Sequence, residues 1–113
     1  GTLPRPDVLK VDVEGAEARV FAGARRLLDA PDAPIVVFEE LAGPARYAGT
    51  APLAARQLLA GLARPGYRFL RIPRTGGLVP CQAEDRSGWQ DIIAIPRARA
   101  GAWPELDMQA APA

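Results

Sequence analysis

The run Asp7-Val8-Leu9-Lys10-Val11-Asp12-Val13-Glu14-Gly15-Ala16-Glu17 holds the residues best suited to chemistry. Asp12 and Glu14 stand where an apolar run stops and a glycine opens a turn. Carboxylates in such a place can orient or deprotonate a hydroxyl group, or take a hard cation. A second apolar run, Ile35-Val36-Val37-Phe38, also ends in acid, at Glu39 and Glu40. Lys10 is the only lysine beside thirteen arginines, and it lies inside the first apolar run. A buried ammonium needs a partner, because an unpaired charge is costly to desolvate. Asp12, two residues on, is one candidate. The chain has no histidine, so it holds no His-based triad, zinc site or His-activated thiol. Cys81, with no basic residue near it in sequence, reads as an unreactive thiol.

These residues need elements to place them. Val8–Val13 is nearly continuous in apolar residues and reads as a parallel strand covered on both faces. Side chains alternate along it, so Lys10 and Asp12 share one face and Val11 and Val13 the other. A helix is expected from about Ala16 to Leu28, with Ala16, Val20, Ala24, Leu27 and Leu28 on its inner stripe and Phe21 beside it. Glu17 falls in its first turn, where acidic residues suit the helix dipole. Residues 29–34 break that helix with two prolines, and residues 35–38 form the second strand. A loop over 41–51 contains Tyr47. A second helix spans about 52–63, with Ala55, Leu58, Leu59 and Leu62 inward. Residues 67–72 make a third strand, Gly76-Gly77 a turn, Leu78-Val79 a short strand and 91–95 the last. With no helix between them, the late strands should pair as an antiparallel hairpin. The expected class is α/β, in the order β-α-β-α-β-β, half of a doubly wound sheet. From Arg97 the Ala/Pro-rich end reads as a disordered tail to residue 113, with Trp103 able to pin part of it back.

Bulk properties narrow the function classes. The chain has 113 residues, enough for one small domain, with 49% hydrophobic and 24% charged residues. A net charge of +1 gives no electrostatic grip on nucleic acid or an anionic membrane. One cysteine forms no internal disulfide, so a reducing compartment, the cytoplasm, is the default. No apolar run nears the roughly 20 residues of a membrane span, and the start carries no signal pattern. The chain begins without Met and reads as a piece of something longer.

The run Lys10-Val11-Asp12-Val13-Glu14-Gly15-Ala16-Glu17 resembles the C-terminal half of the FkbM family. Phe21 to Ala24, then Val36-Val37-Phe38-Glu39 and Gly66-Tyr67, continue the resemblance in order. It covers about Asp7 to Pro96. It implies a Rossmann-like methyltransferase domain that uses S-adenosylmethionine to methylate a hydroxyl oxygen of a sugar or secondary metabolite. Such enzymes hold their cofactor mainly through a glycine-rich loop after the first strand and an acidic residue ending the second. This chain has neither, and Gly76-Gly77 opens no helix. By the resemblance it supplies the fourth to seventh strands of a seven-stranded sheet. Its partners would be a small-molecule hydroxyl acceptor and the N-terminal half of the same domain. As it stands the chain is expected to have an unprotected sheet edge where the first strand would pair.

The resemblance places Asp12 near the methyl donor, orienting or deprotonating the acceptor. It assigns Glu14 and Lys10 to shaping the catalytic site, and Glu39 and Tyr47 to the acceptor. On spacing alone, Asp12 and Glu14 read as the start of a helix, and Lys10 as half of a structural ion pair. Glu39 reads either as a ligand to the acceptor or as a solvated strand end, while Glu40 is expected to face solvent. Two rival functions remain: a non-catalytic remnant or interaction module of the same fold, and a carboxylate-metal hydrolase. The second lacks any recognised ligand spacing.

Overall fold

The computed structural model describes residues 6–12, 17–40, 54–73, 75–83 and 90–107. Five strands form one mixed sheet in the order β1-β2-β5-β3-β4. They are β1 (Val8–Val11), β2 (Ile35–Glu40), β3 (Arg68–Ile72), β4 (Val79–Cys81) and β5 (Gln90–Ile95). β1 and β2 run parallel, in the register Val8–Ile35 to Val11–Phe38. β5 runs antiparallel to β2 on one side and to β3 on the other. β3 and β4 form the expected antiparallel hairpin, turned at Gly76 and Gly77. Both glycines have positive φ, 87° and 79°, which an L side chain rarely adopts. The last strand does not join that hairpin on its outer edge. It slots between β2 and β3, a non-local pairing that no local pattern encodes.

The helices lie on one face. α1 (Glu17–Gly23), α2 (Arg25–Leu28) and α3 (Ala54–Ala60) cover Val11, Val36, Phe38, Ile92, Ala94 and Phe69. These residues alternate along their strands, as a single buried face requires. Phe21 of α1 meets Phe38 of β2 edge to face, with ring centroids 5.2 Å apart and planes at 81°. Such a contact adds about 1 kcal/mol beyond the area it buries.

The single helix expected over 16–28 is two pieces, parted at Ala24. Gly23, costly in a helix interior, ends the first. The inner stripe also differs: Glu17, Phe21 and Leu28 are buried, while Val20 is 38% exposed. The bulky Phe21 takes the core side, and Val20, one residue away, turns outward. In α3, Leu59 is buried and Ala55 and Leu58 pack against the core as expected, with Leu62 buried just beyond it.

The other face is covered only in part. Two 3-10 turns, Arg97–Ala102 and Pro104–Asp107, follow β5 where a disordered tail was expected. Leu106 is buried with Leu70, Ile93 and Ile95, and Trp103 packs against the same cluster. Arg68 donates to the Leu106 carbonyl. Arg99 pairs with Asp7 at 3.1 Å and donates to the Ala33 carbonyl at 3.3 Å. Apolar burial, not composition, orders this segment.

β1 is an edge strand among the described residues and is not covered on both faces. Leu9 and Val11 face the helices, whereas Lys10 is exposed and Val8 is 56% exposed. Lys10 therefore carries no burial cost. No helix among the described residues is long and apolar enough to cross a membrane.

Candidate functional site

The parallel register decides where the carboxylates stand. Val11 lies opposite Phe38, so the next residues, Asp12 and Glu39, are neighbours at the carboxyl ends of β1 and β2. Glu39 in turn lies opposite Asp91 of β5, and Asp91 opposite Ile72 of β3. Paired residues share a face. Glu39 and Asp91 thus stand side by side on the side away from the α-helices, and Asp12, just past the end of β1, continues the row. Asp12 and Asp91 are exposed and Glu39 is half-buried. Lys10 stands one row lower on the same face, level with Val37. In parallel sheets, ligands collect beyond the carboxyl ends of the strands, which is where this row sits.

Of the residues expected from the sequence, the fold brings together Asp12, Glu39 and Lys10. Glu14 and Tyr47 lie outside the described residues. Asp91 joins the row without having been singled out. Its signal was the pairing of β5 with β2, which sequence spacing does not reveal. Among the described residues no group of three or more His, Cys, Asp or Glu is placed to hold a metal ion. Cys81 is buried in the core.

Glu40 corrects the expectation most clearly. It was expected in solvent and is 3% exposed. Alternation explains it: Val36, Phe38 and Glu40 share the helix-covered face, and Glu39 takes the other. Arg56 of α3, fully buried, meets the Glu40 carboxylate with two nitrogens of its fork, Nε to Oε2 at 2.9 Å and Nη2 to Oε1. Its Nη1 donates to the Gln82 carbonyl at 2.6 Å. A bidentate pair of this kind is the strongest neutralising geometry available to a buried carboxylate. Sequence reading missed Arg56, since it lay outside the expected inner stripe of α3.

The matched span of a known family now bears on this geometry. Residues 2–69 match the model of the methyltransferase FkbM domain. The chain belongs to that family. The FkbM match runs through β1, both short helices, β2 and α3, and ends on the second residue of β3. Asp12, Glu39, Glu40 and Arg56 fall inside it, and Asp91 and Gln82 outside. No curated protein matches the chain, and no solved structure does.

Proposed function

We propose that this FkbM domain chain is part of an S-adenosylmethionine-dependent O-methyltransferase, with its acceptor site on the open face at the ends of β1 and β2. The acceptor class is a hydroxyl of a sugar or secondary metabolite. One observation carries the reading: the β1–β2 register sets Asp12 beside Glu39, on the face away from the α-helices among the described residues. These carboxylates suit hydroxyl donors, as hydrogen-bond acceptors. The adenosyl side would be held elsewhere, since Gly76-Gly77 turn a hairpin and start no helix. When bound, the cofactor supplies an electrophilic methyl group.

The chain's own residues then have distinct tasks. Asp12 accepts a hydrogen bond from the acceptor hydroxyl, fixes its oxygen in line, and receives its proton as general base. Glu39 accepts from a second hydroxyl and sets the acceptor's rotation. Glu14 and Lys10 have the task of shaping the catalytic site, and Tyr47 that of contacting the acceptor. A further segment of the same fold pairs with the free edge of β1. The place of β1 at the edge of the sheet, among the described residues, supports that pairing.

The test uses the natural protein that carries this chain. Asp12→Ala is expected to lower methyl transfer by roughly 100-fold while S-adenosylmethionine affinity changes little. Unchanged turnover would remove Asp12 from the reaction. The place of β1 at the sheet edge among the described residues also favours a second reading, a pairing module without catalysis. Tight S-adenosylmethionine binding to the chain would count against it.

A further inference from the structure

The Arg56–Glu40 pair lies on the opposite face from the acidic row, and no step above uses it. Cohesion does not explain it well. Desolvating a carboxylate and a guanidinium costs several kcal/mol each, and their attraction roughly repays that and no more. Apolar side chains of the same size would hold the core as firmly. What an apolar pair could not do is fix a position.

The end of β2 needs fixing. β1 stops at Val11, opposite Phe38. Among the described residues, Glu39 and Glu40 therefore pair on one side only, with Asp91 and Gln90. Strand ends held by one neighbour open readily. Arg56 ties that end down: it grips both oxygens of Glu40 and also the carbonyl of Gln82, just past β4. The sheet order puts two strands between β2 and β4, so this one guanidinium joins parts that no ladder joins. Glu39 and Glu40 project to opposite faces, so any turn or slip of Glu40 displaces Glu39 as well.

We propose that Arg56 is a positioning residue for the acceptor site: by clamping Glu40 to the backbone after β4, it holds Glu39 beside Asp12. This rests on the reading of Asp12 and Glu39 given above. The test replaces both charges at once, Arg56→Met with Glu40→Leu, in the natural protein, so that neither member of the pair is left without the other. The thermal midpoint is expected to stay within about 5 °C of the parent. Amide exchange at Glu39, Glu40, Gln90 and Asp91 should quicken by about tenfold, with Val36 and Ile93 unchanged. For the acceptor the parent methylates, kcat should fall by about tenfold or more, with the KM for S-adenosylmethionine unaltered.

Unchanged exchange overturns the proposal, whatever the activity. Faster exchange with undiminished kcat also overturns it, and a collapsed midpoint would make the pair a structural one. If the parent methylates no acceptor, the functional reading fails by itself. The exchange measurement still decides whether Arg56 holds the strand end.

Discussion

Glu39 and Asp91 stand directly opposite each other on the antiparallel strands β2 and β5. Neither forms an ion pair with any described residue. Two like charges in that position weaken a sheet. Asp91→Asn is therefore expected to raise the unfolding free energy by about 0.5 kcal/mol, more at low salt than at high. Urea titrations at two ionic strengths measure it. A loss of stability would mean that the two carboxylates are not in repulsive contact.

Phe38 is fully buried, in edge-to-face contact with Phe21. Phe38→Ala removes that contact and opens a cavity under the helices. The expected loss is about 3–5 kcal/mol, a large share of the stability of a domain this size. Chemical denaturation, or failure to obtain folded protein, reads it out. A loss under about 1 kcal/mol would show that this core readily collapses around the gap.

Two glycines should respond in opposite senses to alanine. Gly66 has φ +60°, and an added Cβ would come within 2.6 Å of the Arg97 guanidinium. The arginine tip can swing aside, so the backbone conformation sets the cost, about 1–2 kcal/mol. The same loss is expected when Arg97 is also replaced by Ala. Gly23 has open space around it in α1, and Gly23→Ala should stabilise by about 0.5–1 kcal/mol. Thermal unfolding of the variants checks both signs.

The Tyr67 hydroxyl donates to the Pro34 carbonyl at 2.7 Å. Burial pushes its pKa well up, and Arg99 offsets this only partly. The folded protein thus keeps the phenol proton at pH values where the unfolded chain has lost it. Its stability contribution is complete below the unfolded value of about 10 and is lost as the pH rises above that. Tyr67→Phe should remove this part of the alkaline loss, and cost about 1 kcal/mol at neutral pH by leaving the Pro34 carbonyl unpaired. Unfolding free energies measured from pH 7 to 11 in both proteins make the comparison. Parallel curves would refute the assignment.

How much was legible follows from which interactions are local. Apolar runs over 8–13, 35–38 and 91–95 announced three strands, the first longer than the Val8–Val11 that pairs, and Gly76-Gly77 announced a hairpin. The Asp12–Glu39 neighbourhood was legible too, because two parallel strands that each end in acid bring those ends together. Strict alternation from Val36 through Phe38 would also have buried Glu40, had it been carried two residues further. The insertion of β5 was not legible. It rests on contacts between distant segments, and it alone adds Asp91 to the row. Arg56 was hidden for a related reason: a charged residue in a helix reads as surface until its partner is known. Leu106 and Trp103 were hidden by a composition that resembles a linker.

That last segment moves the boundary of the folding unit. A chain trimmed at Pro96, where the final strand stops, would keep every strand and α-helix among the described residues. It would also uncover Leu70, Ile93 and Ile95, which Leu106 and Trp103 now shield. Any shortened version of this protein must therefore retain Asp107, or it will display greasy surface on a second side of its sheet.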